Sequence, residues 1–138
     1  MIALTPYLTF NGTCEEAMTF YKSVLGGELE LTRFKDMPMG GHDVNPEGIM
    51  NSTLKAPDLT FMASDSGMGP VVMGDSVSLA LAGGPDNSQR LHRFFDGLSE
   101  GGKVSMPLDK APWGAEFGAF EDKFGISWMM NIDLPKAS

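Results

Sequence analysis

The spacing of apolar residues changes twice within the first thirty positions. Pro6-Tyr7-Leu8-Thr9-Phe10 is rich in β-favouring residues and reads as a strand. Asn11-Gly12 interrupts it. Apolar residues then fall at Ala17, Phe20, Tyr21, Val24 and Leu25, which is the i, i+3, i+4, i+7, i+8 spacing of one helix face. Thr13-Cys14-Glu15-Glu16 fits a capping box, in which Thr13 and Glu16 each satisfy the other's backbone N–H. Gly26-Gly27 ends the helix, and Glu28 to Thr32 alternates polar and apolar as a half-buried strand does.

The same order returns further on. Ile49 to Leu54 and Asp58 to Asp65 read as strands joined by a turn at Ala56-Pro57-Asp58. In the second of them Leu59, Phe61 and Ala63 share one face, and Thr60, Met62 and Ser64 the other. Ser76 to Leu81 alternates, with Ser76, Ser78 and Ala80 opposite Val77, Leu79 and Leu81. A helix follows, with Leu91, Phe94, Phe95 and Leu98 on its apolar face and Gly101-Gly102 at its end; His92 falls off that face and is expected in solvent. Lys103 to Leu108, Trp113 to Phe120 and Ile126 to Ile132 complete the strands. In the last, Ser127, Met129 and Asn131 face away from Ile126, Trp128 and Met130.

Phe20-Tyr21 before Gly26-Gly27 matches Phe94-Phe95 before Gly101-Gly102, and Met62-Ala63-Ser64-Asp65 loosely matches Met130-Asn131-Ile132-Asp133. Each half is therefore strand, helix, three strands. The expectation is one α+β domain over 1–138, built of two βαβββ modules (about 1–70 and 71–135) whose curved sheets enclose a cleft, with helices outside.

Composition narrows the functions. The net charge of −8 argues against nucleic acid, whose binding needs a basic patch. No run approaches the roughly 20 apolar residues of a membrane span, and MIALTPYL has neither a basic region nor an apolar core of a signal peptide, so a cytoplasmic protein is expected. Cys14 is the only cysteine and cannot form an internal disulfide; it reads as a small packing residue, with a reactive thiol as the alternative at a helix N-terminus. Lys35 to Gly48 reads as a long loop. Its Met37 and Met39 could form an adaptable lip, and its His42-Asp43 pair is a weak metal or acid/base signal.

PYLTFNG, EEAMTFYKSVLGGEL, FMASD and VSMPLDKAPWGAEFGAFEDKFGISWMMNI together resemble the PhnB-like branch of the vicinal oxygen chelate superfamily, which includes glyoxalase I, bleomycin and fosfomycin resistance proteins and extradiol dioxygenases. The resemblance covers nearly the whole chain, and its W-G-A…F-G…D-K-F-G…W-M-x-N skeleton is fairly specific. It implies a glyoxalase/bleomycin-resistance-like fold and a homodimer, with modules paired within a chain or exchanged between chains. The branch also carries a demethylubiquinone methyltransferase label. That label is discounted, because no glycine-rich βα turn offers a nucleoside site.

Enzymes of the superfamily hold a divalent metal with histidine and glutamate from four strands. Matching the strand patterns puts Pro6, Met62, Ser76 and Met129 at those places. Proline has no donor, thioether is too soft for Mg, Mn, Ni or Zn, and serine is a poor ligand unless ionised; about three good ligands are needed. No metal or other cofactor is therefore expected. The expected ligand-binding cleft is Thr60, Met62, Ser64, Ser76, Ser78, Ser127, Met129 and Asn131, with Trp113 and Phe117 as stacking or packing aromatics. This wall has hydroxyls, thioethers and an amide but no general base, so it suits a small, uncharged ligand. Asp65 is expected to cap a turn. The leading expectation is a metal-free, dimeric small-molecule binding protein. The alternatives are a divalent-metal-dependent lyase, dioxygenase or resistance-type enzyme with an atypical site (His42, Asp43 or Glu47), and a ligand-free interaction module.

Overall fold

The computed structural model describes residues 2–36, 45–67, 69–74 and 76–135. The chain divides into two units, Met1–Val72 and Met73–Ser138. The first holds β1 (Tyr7–Phe10), α1 (Cys14–Leu25), β2 (Glu28–Arg33), a short 3-10 turn at Phe34–Asp36, β3 (Ile49–Ala56) and β4 (Leu59–Asp65). The second holds β5 (Leu79–Gly83), a 3-10 turn at Pro85–Asn87, α2 (Ser88–Ser99), β6 (Lys103–Ala111), β7 (Ala115–Glu121) and β8 (Ser127–Asp133). Each unit forms a four-stranded mixed sheet, ordered β1-β4-β3-β2 and β5-β8-β7-β6. In both, the first strand lies parallel to the last and the other pairs are antiparallel. The two βαβββ modules read from the sequence are thus present, and the fold is α+β. Among the described residues no helix is long and apolar enough to cross a membrane.

Alternation decides which face of each sheet its helix covers. Phe61, Ala63 and Asp65 of β4 are buried on the α1 side, while Thr60, Met62 and Ser64 point to the open side. Cys14, Ala17, Met18, Tyr21 and Leu25 form the buried stripe of α1; Phe20 and Val24, expected at its centre, are only half-buried, so the face is rotated toward Cys14 and Met18. Tyr21 meets Phe61 edge-on at 5.7 Å. In the second unit Leu91, Phe95 and Leu98 pack on Phe120, Trp128, Met130 and Ile132. Phe95 stands edge-on to Phe120 at 5.0 Å, and Phe120 stacks on Trp128 at 6.4 Å. Apolar side chains of this size contribute roughly 1.5–3 kcal/mol each when buried.

Several boundaries differ from the sequence reading. β5 begins at Leu79 rather than Ser76, so Ser76 and Ser78 precede the strand. β6 continues through Pro107 to Ala111. It is an edge strand, where a missing N–H is tolerated, and its pairing with β7 shifts register twice. Trp113 lies in the β6–β7 turn, not in a strand. The capping box does not form: Thr13 makes no side-chain cap. The Cys14 N–H is instead taken by the Asp65 carboxylate at 2.9 Å. Nor is His92 loose in solvent, since its Nε2 lies 3.0 Å from a Glu116 carboxylate oxygen on β7.

The repeat itself shifts by one residue at the last strand. Parallel pairing sets Phe10 beside Asp65 and Gly83 beside Ile132. Phe10 is buried, and a Cβ on Gly83 would strike Leu91 of α2, so both face their helices. Met62-Ala63-Ser64 therefore corresponds to Met129-Met130-Asn131, not to Met130-Asn131-Ile132.

Candidate functional site

The corrected register brings the expected ligand-binding residues onto equivalent places. Thr60, Met62 and Ser64 on β4 match Ser127, Met129 and Asn131 on β8, each on the sheet face away from the helix. On the open face of the first unit Tyr7 joins them, beside Met62; its hydroxyl donates to Asn51 Oδ1 at 3.3 Å. Tyr7 and Asn51 were missed by the sequence reading, although the alternation of β3 about buried Ser52 and Leu54 was available to find Asn51.

On the open face of the second unit Phe117 lies beside Asn131, Ala119 beside Met129, and Ala80 and Ala82 beside Met129 and Asn131 on the other flank. Trp113 folds back over this face. Its Nε1–H donates to Asn131 Oδ1 at 3.0 Å, and its ring meets Phe117 edge-on at 5.6 Å. Asn131 Nδ2 in turn donates to Asp133 Oδ1 at 3.3 Å. At the other end a depression of about 320 Å³ is lined by Ser78, Lys103, Ser105, Glu121, Ser127 and Met129. Ser76 lies outside both groups.

The metal-ligand places also move. Pro6 precedes β1, and its carbonyl accepts the Met62 N–H. The open-face residues of the two first strands are Tyr7 and Thr9, and Ala80 and Ala82. With Met62, Ser64, Met129 and Asn131 these still make no set of histidines and carboxylates, so the donors do not fit a hard divalent ion. Among the described residues no group of three His, Cys, Asp or Glu could hold a metal. His42, Asp43, Met37 and Met39 lie outside the described residues. Glu47 is engaged elsewhere: its carboxylate pairs with Lys35 at 3.0 Å and its carbonyl accepts from Arg33 at 2.8 Å.

A second concavity, about 360 Å³, opens at the N-terminal end of α1 between Asn11, Glu15, Phe34, Glu47 and Asp65. Its polar groups are matched to one another. Asp65 accepts from Cys14 N–H and Ile49 N–H, both at 2.9 Å. Glu15 takes Arg33 through both oxygens, at 2.8 and 3.2 Å. That guanidinium holds the Glu15 carboxyl below its usual range, and Glu15 raises Arg33 in return. Below them Cys14 is fully buried beside Ser52 Oγ at 3.6 Å. Burial pushes its thiol up to about 12, so it is a packing residue and not a nucleophile.

The fold places the chain among glyoxalase/bleomycin-resistance-like proteins. A glyoxalase/bleomycin resistance protein/dioxygenase from Nocardioides superposes with a TM-score of 0.60 at 16% identity, over 100% of this chain and 88% of that one, a likeness of fold alone. The sequence goes further: residues 2–131 match the family described as 3-demethylubiquinone-9 3-methyltransferase, and the chain belongs to that family, the PhnB-like branch of the vicinal oxygen chelate superfamily. Protein YjdN of Escherichia coli K12 is 30% identical over 94% of both chains. Protein PA1353 of Pseudomonas aeruginosa is 36% identical with a TM-score of 0.84, over 98% of this chain and 100% of that one. The PhnB protein of Bacillus cereus, which bears the same methyltransferase description, is 25% identical with a TM-score of 0.74, over 95% and 99%.

The family's description implies a methyl donor, and the βα turns do not fit one. The turn before α1 is Asn11-Gly12-Thr13, and the first helical N–H beyond it is already held by Asp65. The turn before α2 is filled by the Pro85–Asn87 3-10 turn, with Gly83 packed on Leu91. Neither resembles the glycine-rich cradle of a nucleoside site.

Proposed function

We propose that this protein binds a small, uncharged organic molecule without a metal, using the open sheet faces of its units. One observation carries the reading. Among the described residues, the central strands of both open faces hold hydroxyls, amides, thioethers and an aromatic ring, while the carboxylates Glu30 and Asp109 stand on the edge strands β2 and β6, and Glu121 and Asp133 at strand ends. Such a surface can orient a neutral ligand by hydrogen bonds and contact area. Among the described residues no carboxylate or imidazole stands on the central strands of these faces, short of their ends, to take a proton, which favours binding over turnover. Thr60, Met62 and Ser64 form the candidate face of the first unit; Ser78, Trp113, Phe117, Ser127, Met129 and Asn131 form that of the second.

A homodimer and residence in the cytoplasm belong to the same proposal. The edge strand β6 exposes Val104 and Met106, about half accessible each, as a surface that a second copy could cover. The free Cys14 thiol suits a reducing compartment. The test of the binding reading is thermal melting against a collection of uncharged small molecules. A ligand at 100 times its dissociation constant stabilises the fold by about 2.7 kcal/mol, a rise of several degrees. A collection that gives no saturable rise contradicts it.

A further inference from the structure

We propose that Trp113, Phe117 and Asn131 form a stacking subsite for a flat, uncharged, conjugated carbonyl compound. This rests on the small-molecule reading above and names the ligand's chemistry. Trp113 is 63% exposed, yet it is not loose. Its N–H is held by Asn131 at 3.0 Å and its ring edge by Phe117 at 5.6 Å. An indole fixed in this way presents its face with little ordering left to do on binding, and a flat π-system is what stacks on it.

Asn131 selects the functional group. Its Oδ1 is occupied by the indole N–H, which fixes the amide with Nδ2 outward. One Nδ2 hydrogen points to Asp133 Oδ1 at 3.3 Å. An amide nitrogen carries two hydrogens, so the second is offered to an acceptor. A ligand carbonyl meets that need. The Asp133 carboxylate beside it repels an anion. A cation would be drawn by Asp133, and by Asp109 beside Phe117, but without an acceptor it leaves the second Nδ2 hydrogen unmet; the neighbouring Ala80, Ala82, Ala119 and Met129 are uncharged, and the small alanines leave room above the sheet. The depression of about 320 Å³ beyond Met129 can hold the remainder of a longer ligand.

The test uses the intact protein and three flat probes: coumarin (neutral), coumarin-3-carboxylate (anionic) and N-methylquinolinium (cationic). Binding is followed by the two indole N–H resonances, from Trp113 and from Trp128, whose N–H is held in the core by Asp122. Coumarin is expected to shift the Trp113 resonance saturably, to leave that of Trp128 in place, and to bind more tightly than either ion. With affinity read in the variants from the change in coumarin's own fluorescence, since W113A lacks the Trp113 resonance, W113A is expected to weaken coumarin roughly tenfold, and N131L by several-fold, in proteins whose Trp128 resonance shows an unchanged core. Coumarin binding W113A as tightly as the parent overturns the subsite but leaves the small-molecule reading standing. Tighter binding of either ion overturns the neutral assignment. A Trp113 resonance that moves on dilution, with no response to coumarin, gives this corner to a second copy and overturns the subsite. No response to any probe, in a protein that other neutral compounds stabilise, overturns the subsite alone; no response to either set overturns both.

Discussion

The two units share a strand order and differ in where they keep a buried carboxylate. In the first, Asp65 ends β4 and ties together the first N–H of α1 and the start of β3. At the matching place in the second stands Ile132, fully buried. There the buried carboxylate is Asp122, in the β7–β8 turn, which accepts from Phe124 N–H, Ile126 N–H and the Trp128 indole. What does not differ is the glycine pair after each helix. A Cβ on Gly27 would collide with the carbonyl of Lys55, and one on Gly102 with the carbonyl of Glu121, at matching strand ends. The helix-to-sheet approach is thus fixed by topology, while the polar anchor can sit wherever donors need an acceptor.

The comparison can be broken in order of expected size. G27A and G102A should each cost about 3 kcal/mol or more, because the obstacle is backbone and cannot swing aside; a mild effect in either would show that the two approaches are not equivalent. D65A and D122A should each cost about 3 kcal/mol by leaving buried N–H groups without an acceptor, lowering the melting temperature by roughly 10 °C. Near-UV circular dichroism should separate them, with the Trp128 signal lost in D122A and kept in D65A. Cys14 sharpens the contrast at high pH. Its folded pKa is raised to about 12, so the unfolded chain loses the thiol proton first, from its ordinary value near 9. The thiol's contribution is complete below that value and falls by about 1.4 kcal/mol per pH unit above it, until the folded thiol also ionises. C14A should remove that alkaline loss; parallel stability curves for parent and variant from pH 8 to 11 would contradict it. Smallest is R33Q. Glu15 is depressed by Arg33, so their pairing adds stability at neutral pH that fades as acid protonates Glu15, but both are surface groups screened by solvent. Salt titration of the melting temperature should show little difference from the parent.

Much of this was legible in the chain. Two apolar periodicities and two Gly-Gly pairs mark the βαβββ repeat, because burial of one helix face and one sheet face leaves a spacing that short windows reveal. The open-face triplets on β4 and β8 were legible for the same reason. The capping of α1 was not: Thr13-Cys14-Glu15-Glu16 has the local pattern, but the acceptor that wins, Asp65, lies 51 residues away. The one-residue offset between Asp65 and Asp133 was hidden too, since both strands end in aspartate and only the pairing with β1 and β5 separates them. The sequence pattern begins a strand at Trp113, two residues before β7 starts at Ala115. The place of Trp113 in a hairpin turn, reaching across to Asn131, is a tertiary fact.

The claim that the open faces bind a neutral molecule rather than a metal is tested most directly by the melting temperature in chelator and then with Mg, Mn, Ni and Zn in turn. The donor sets of Tyr7, Thr9 and Met62, and of Ala80, Ala82 and Met129, predict no saturable rise with any of them. A saturable rise with one metal, abolished by chelator, would contradict the account and move a metal-dependent reaction to the front.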